Sequence, residues 1–247
     1  MPEFDYAVII PAWNEAEFIP LCIASVQSAM NGIDYSGQLI VVDNNSTDNT
    51  AELASNAGAQ VVFEPINQIS RTRNAGAAAA DASIYIFVDA DSQISAALLR
   101  MAIEAIEQND MVGGGANITA DRSVRQPARM GFKCWNWISR RFKLAAGCFV
   151  YCRADAFEAV GGFTLKRYAG EELDLSRALR RWGRSRGLKF HIITEHTIET
   201  SLRKMDWYTP GQLMRQVFIA MLPGALNSKR FMSSWYDESI QRSRKDD

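Results

Sequence analysis

Four short apolar runs in the first ninety residues constrain the fold most. They are "YAVIIP", "QLIVVD", "AQVVFE" and "SIYIFVD". Each is too continuously apolar for a half-exposed strand, so each reads as a strand buried on both faces. Between them lie stretches with helical character. Phe18, Leu21, Cys22, Ser25, Val26 and Ala29 fall on one helical face. A second helix is predicted from about Asp48 to Ala57, with Ser46 or Thr47 as its cap and Gly58 at its end. The alanine-rich "RTRNAGAAAAD" and the run "AALLRMAIEAIEQ" read as two more. Strands alternating with helices imply crossover units and a mostly parallel sheet with covered faces. Such sheets bind ligands at the carboxyl ends of their strands. Asp43 and Asp89 stand at two such ends.

The later chain is less regular. "MVGGGANIT" reads as a glycine-interrupted strand, and "QPARMGFKCWNWISRRF" as an aromatic-rich helix. "CFVYC" is a strand, then "RADAFEAV" a short helix closed by Gly161 and Gly162. "EELDLSRALRRWG" is a helix with Leu173, Ser176, Leu179 and Arg180 on one face, and "LKFHIIT" is a last strand. With 247 residues and no linker of low complexity, the expectation is one domain over residues 1–247. It divides into residues 1–110, residues 111–204 and a C-terminal helical extension, 205–247.

Composition excludes several classes. A formal net charge of -1 gives no nucleic-acid footprint. Cys22, Cys134, Cys148 and Cys152 form no CxxC pair and no zinc spacing, which fits a reduced compartment. The start, "MPEFDYAVII", lacks a basic leader, and the late run "VFIAMLPGAL" is about half a spanning helix and holds Pro223. The expected location is cytoplasmic, with room for peripheral membrane contact.

Several residues carry chemistry. Asp89 and Asp91 flank Ala90 just after a buried strand. Residues two apart in a strand point the same way, so both carboxylates could face one hard cation. A pair this close repels itself and calls for a positive partner; loop capping is the plainer reading. Asp43 precedes "NNSTDNT" and could accept hydrogen bonds from a base or ribose, or form an Asx-turn. "GEELD" puts Glu171, Glu172 and Asp174 at a helix start, where the dipole alone would favour acids; a general base is the functional alternative. No GxGxxG follows the first strand and no GxxxxGK[ST] occurs, which argues against an ordinary dinucleotide or P-loop site. His196 reads as structural rather than a metal ligand. Trp135, Trp137 and Trp182 could stack on a ligand, with Trp182 better explained by packing.

Taken in order, "VIIPAWNE", "VVDNNSTDNT", "TRNAG", "FVDAD", "VGGF", "GEELDLSRALRRWG" and "TSLRK" resemble the family 2 glycosyltransferases over roughly Tyr6 to Arg203. The resemblance implies a GT-A fold: an α/β, mostly parallel sheet flanked by helices that binds nucleotide-diphospho-sugars. It implies that Pro11, Ala12, Asn14 and Glu15 lie beside the nucleotide and that Asp43 contacts its base. It places Arg73 and Asn74, with Arg71 as a second candidate, near the nucleotide. Asp89 and Ala90 fall at the ribose. Asp91, with Asp89, would ligate a divalent cation, Mg²⁺ or Mn²⁺, and that cation would be the positive partner. Gly161, Gly162 and Phe163 would line the acceptor side, and Ser201 and Arg203 would lie near the diphosphate. The base falls at Glu172, where the family usually has aspartate, so Glu171 could share its role. The implied reaction is inverting transfer from a nucleotide-diphospho-sugar, UDP by family habit, to a carbohydrate, lipid-linked or other hydroxyl acceptor. The processive motif Q-x-x-R-W is missing, because "RRWG" comes too early, so a non-processive enzyme is expected. A catalytically degenerate sugar-nucleotide binder, a haloacid-dehalogenase-like phosphatase and a nucleotidyltransferase are the alternatives. The phosphatase would need its aspartate pair on the first strand, and the nucleotidyltransferase a glycine-rich phosphate loop there.

Overall fold

The computed structural model describes residues 2–108, 110–120 and 126–201, with 126–129 as backbone only. The expected C-terminal extension, the run "VFIAMLPGAL" and Arg203 lie outside the described residues.

The chain starts with β1 (Phe4–Ala12), α1 (Ile19–Asn31), β2 (Gly37–Asp43), α2 (Thr50–Asn56), β3 (Gln60–Phe63) and α3 (Ile69–Ala79). β4 (Ala82–Val88), the two-residue β5 (Ser92–Gln93), α4 (Ala96–Glu107) and β6 (Met111–Ala120) follow. The remainder is α5 (Gln126–Phe142), β7 (Phe149–Arg153), α6 (Ala154–Ala159), α7 (Glu171–Arg184) and β8 (Lys189–Thr200). The strands form one sheet in the order β3-β2-β1-β4-β7-β6-β8-β5.

β1 sits between β2 and β4 and pairs parallel with both. It is buried on both faces, which is why its sequence shows no alternation. Tyr6, Val8, Ile10 and Ala12 join the core beneath α1 and α4. Ala7 and Ile9 join the opposite core, with residues of α6 and α7. Each large apolar side chain so buried stabilises the fold by roughly 1.5–3 kcal/mol relative to exposure. An edge of Phe87, Phe157 and Phe163 rings, with centroids 5.0–5.7 Å apart, fills the second core.

The chain winds outward from β1 to β3, then crosses back to β4 on the other side of β1. That reversal opens a crevice at the carboxyl ends of β1 and β4, the usual ligand position in such sheets. The register confirms which residues reach it: Ala12 pairs with Asp43, and Asp43 with Phe63.

Among the described residues the expected strands and helices are present, with four differences. The sheet is mixed, because β7 runs antiparallel between β4 and β6. β8 extends to Thr200, six residues past the predicted end, because it keeps pairing with β6 and then with β5. Its polar residues Glu195, His196 and Thr197 are exposed, so periodicity hid the extension, and His196 is no core residue. Leu21 is 60% exposed, while Ile19 and Ile23 are buried in its place, so the apolar stripe of α1 is rotated from the expected one. Neither Ser46 nor Thr47 caps α2, whose N-cap is Asn49. Both are bonded to Asn14 instead.

The triple glycine of β6 has a steric reason. A Cβ on Gly114 would lie 1.8 Å from the His191 carbonyl oxygen and 2.5 Å from the Tyr151 hydroxyl. No side chain fits between these strands.

Candidate active site

The floor of the crevice is a set of strand ends held by side-chain to backbone bonds. β1 ends in the buried Pro11 and Ala12. Asn14 follows with a positive φ of 53°, tolerated better by Asn than by most residues. Its Oδ1 accepts from the Thr47 N–H at 2.7 Å, and its own N–H donates to Ser46 Oγ at 3.0 Å. The Glu15 N–H donates to Thr50 Oγ1, and the Glu15 carbonyl starts α1. The first-strand residues therefore strap the loop after β2. Asp43, buried at the end of β2, accepts from the Ser46 N–H at 3.3 and 3.4 Å. These are long contacts that shape an Asx-like turn without saturating the carboxylate.

β4 delivers the aspartate pair. Asp89 and Asp91 are partly exposed around the buried Ala90. The Asp91 carbonyl accepts from the Ser201 N–H at 3.1 Å, so the end of β8 lies against the pair. Below it are two buried thiols. Cys22 Sγ donates to the Asp89 carbonyl at 3.6 Å. Burial, then the charges of both aspartates, push the Cys22 and Cys148 thiols up, which marks where that negative charge is concentrated.

The positive partner of Asp89 is a residue of the chain. Arg73, on α3, is 2% exposed. One terminal nitrogen donates to Asp89 Oδ1 at 2.8 Å and to the Gly147 carbonyl at 2.9 Å. The other donates to Glu171 Oε1 at 2.5 Å. The Phe163 ring lies 5.2 Å from the guanidinium carbon. Burial alone would lower the arginine pKa, yet Asp89, Glu171 and Glu172 together hold it above its usual value. This differs from the expectation in two ways. A guanidinium of the chain itself pairs with Asp89. And Arg73, expected at the nucleotide, has its terminal nitrogens engaged by protein acceptors deep in the fold.

Asn74 also turns inward. Its Oδ1 accepts from the Phe163 N–H and its Nδ2 donates to the Phe163 carbonyl, both at 2.9 Å. Phe163, expected on the acceptor side, is 1% exposed, with its ring in the core. Gly162 beside it has a φ of 67°, and a Cβ there would lie 2.7 Å from Asn74 Oδ1. Gly162 therefore allows the clamp. Arg71 remains partly exposed on α3.

α7 supplies the acids. It starts after Gly170, in the left-handed region at φ 74°, and has Glu171, Glu172 and Asp174 in its first turn. Glu171 is buried against Arg73. Asp174 pairs with Arg167 and Arg177. Glu172 is half-buried and packs over Gly147, whose added Cβ would meet the Glu172 carboxyl at 3.6–3.8 Å and Arg73 at 3.5 Å. Desolvation, then the charge of Glu171, push the Glu172 carboxyl from 4.5 up to about 8. A helix N-terminus favours an acid by about 0.3–1 kcal/mol, less than one pKa unit. It cannot offset a rise of that size, so the plain dipole reading of "GEELD" fails for Glu172. The Glu171 carboxylate is taken up by Arg73.

Three contributors escaped the sequence reading. Gly147 supplies the carbonyl beside Arg73 and Glu172. Gln68, buried at the N-cap of α3, donates to the Leu165 and Arg167 carbonyls at 2.8 and 3.0 Å. Asn44 takes the Gln68 N–H on its Oδ1 and donates to the Glu64 and Ile66 carbonyls. Only Asn44 stood in a quoted motif; "INQIS" and "LAAGC" carry no local signal. Of the tryptophans, Trp137 is exposed, Trp135 packs under α5, and Trp182 packs against the core with Arg186 at 4.0 Å over its ring.

Comparison with known proteins bears on the family and the fold. Residues 7–161 match the sequence pattern described as glycosyl transferase family 2. An uncharacterized glycosyltransferase of Mycobacterium bovis is 33% identical over 131 residues, 53% of this chain and 57% of that one. The chain thus spans little more than half the length of that relative. A dolichol-phosphate mannosyltransferase of Pyrococcus furiosus is 26% identical over 185 residues, 69% of this chain and 48% of that one. Among solved structures, glucosyl-3-phosphoglycerate synthase from Mycobacterium tuberculosis, in complex with Mn²⁺, UDP and glucosyl-3-phosphoglycerate, superposes with a TM-score of 0.64. It is 19% identical, over 90% of this chain and 80% of that one. A mannosyltransferase from Pyrobaculum calidifontis, in complex with GDP-mannose and Mn²⁺, has a TM-score of 0.60 at 18% identity, over 88% and 62%. These likenesses show the GT-A fold. The matched pattern spans well over half of the chain, including the strand ends that carry Asp43, Asp89 and Asp91, and the chain belongs to glycosyl transferase family 2.

Proposed function

We propose that this protein is a non-processive, inverting glycosyltransferase that moves a sugar from a nucleotide-diphospho-sugar to an acceptor hydroxyl. One observation carries the reading. The Glu172 carboxyl, pushed up to about 8, lies over Gly147 beside Arg73, which itself pairs with Glu171 and with the strand-end Asp89. Perturbed acids in a crevice are characteristic of catalytic sites.

The strand ends at Ala12, Asn14 and Asp43 would receive the nucleoside, and Asp89 the ribose side. The acceptor would enter over Gly147, on the Glu172 side. The Glu172 carboxylate then takes the hydroxyl proton as that oxygen attacks the anomeric carbon, and the bond to the diphosphate breaks on the opposite face. General-base help of this kind contributes about 10²–10⁴-fold.

The chemistry of the acids fits a divalent cation. Among the described residues no cluster of three His, Cys, Asp or Glu could hold a metal unaided. A cation at Asp91 and Asp89 would therefore complete its shell with substrate phosphates and water, the usual habit of Mg²⁺. When bound, it neutralises charge on the departing diphosphate. The complexes of the two enzymes above, UDP with Mn²⁺ in one and GDP-mannose with Mn²⁺ in the other, support this choice. They support UDP and GDP equally as the donor's nucleotide.

A thermal-shift screen of UDP-, GDP- and dTDP-sugars, with and without Mn²⁺, tests the reading. Ligand at 100 times its Kd adds about 2.7 kcal/mol, several degrees for a chain this size. The expected result is a Mn²⁺-dependent shift for one nucleotide class, lost in Asp91→Ala. Absence of a shift with every nucleotide overturns the donor site. A shift without turnover toward any acceptor leaves the degenerate binder.

A further inference from the structure

Residues 122–143 hold seven Lys or Arg and no acidic residue, in a chain whose net charge is -1. Within this segment lies α5 (Gln126–Phe142). Its inner face is accounted for: Trp135 packs on the core, Asn136 bonds both ways to the Ile118 backbone, and Ser139 bonds to the Leu144 carbonyl. Its outer face presents Met130 at 67% exposure and Trp137 at 57%. Cys134 and Arg141 share that stripe at helical spacing, and Lys133 and Arg140 flank it. At its end, Phe142 is 50% exposed, packs edge-on to Trp137 at 6.4 Å, and lies under the Arg141 guanidinium at 5.6 Å.

A soluble surface seldom clusters large apolar side chains in this way. Aromatic residues set among cations, on a helix of 17 residues or about 25 Å, suit the interface of a lipid bilayer. There the rings enter the headgroup boundary and the cations meet anionic lipids. The uninterrupted positive charge selects an anionic surface over a neutral one. We propose that the outer face of α5 docks this protein on an anionic phospholipid bilayer. Five residues after Phe142 the chain reaches Gly147, beside Glu172, so docking brings the base close to the bilayer. The proposal builds on the transfer reading by placing its acceptor hydroxyl at a membrane surface, but docking itself is measured without turnover.

The test is flotation of the full chain with phosphatidylcholine vesicles, with and without about a third phosphatidylglycerol. Each cation at such a surface contributes about 1 kcal/mol, or fivefold in partitioning. The expected result is binding to the anionic vesicles, release in high salt, and a loss of more than about 25-fold in R140E/R141E. W137A/F142A should reduce binding by about tenfold. R140K/R141K should restore it, and unchanged melting temperatures show that the variants fold. Equal binding to neutral vesicles, or variants that float like the wild type, overturn the proposal. So does a dimer by light scattering that W137A/F142A converts to a monomer, which assigns the patch to a second copy of the chain. Vesicle binding without sugar transfer would refute the transferase and leave the docking face intact.

Discussion

Asp43 and Asp89 reach the crevice because each ends a buried strand. Glu171 and Glu172 reach it because a buried arginine, 98 residues before Glu171, holds the start of α7 against α3. The two sides of the site are thus positioned by different physics. On the β1–β4 side, parallel registers fix the strand ends, and short-range turns finish them. On the α7 side, placement depends on α3 as a rod. Gln68 holds the carbonyls of Leu165 and Arg167, Asn74 clamps Phe163, and Arg73 grips Glu171 while its other nitrogen reaches Asp89. One side is built by the sheet and the other by side chains of a single helix. The second should therefore be the easier to break by mutation.

Arg73→Met gives the largest expected effect. It leaves the buried Glu171 and the partly exposed Asp89 without their cation, and breaking a buried pair such as Arg73–Glu171 costs about 3–5 kcal/mol. Chemical denaturation measures this. Arg73 also lowers the Glu172 pKa, so any residual turnover should need a higher pH. Arg73→Lys keeps the charge and should restore part of both. A variant as stable as the wild type would show that the two sides are held together by something else.

Glu172 sharpens the comparison next. Its base form grows as pH rises, so kcat/KM should climb to a plateau above about 8. Glu172→Gln should lower turnover about 10²–10⁴-fold with nucleotide binding kept. The same variant has a stability signature. A carboxyl pushed up from 4.5 to about 8 binds its proton more tightly in the folded state. The wild type therefore loses stability as pH rises through that window. Glu172→Gln should melt at a higher temperature than the wild type at pH 9 and show little difference at pH 4. A pH-independent difference between the two would remove the buried-acid account.

The smallest expected effect is that of Asn74→Ala, which deletes two backbone bonds to Phe163, each worth about 0.5–1.5 kcal/mol. It should lower stability by about 1–3 kcal/mol and raise the acceptor KM more than the donor KM, because the loop it frees leads to α7. An equal rise in both would place Asn74 with the nucleotide, as the family resemblance implies.

Much of the β1–β4 side was legible in the sequence. A strand buried on both faces writes itself as a continuous apolar run, and an aspartate that ends it stands out. Asp43, Asp89 and Asp91 were found this way. Gly161 and Gly162 were legible as a helix closure, and both take the positive φ such a turn needs. The α7 acids were visible as a cluster, but their division of labour was not. Nothing in "GEELD" says that Glu171 faces an arginine while Glu172 faces the cleft. Arg73 and Asn74 stood out only as a motif, and their inward orientation could not be read from it.

Local sequence determined the elements, the carboxyl edge that carries the site and the identity of the acids, because hydrophobic periodicity and strand-end chemistry act over a few residues. Tertiary structure alone decided which acid is paired, which is desolvated, and which face of α5 is left outside. Those properties depend on contacts between residues 16 to 99 positions apart, and on a burial that no single segment encodes.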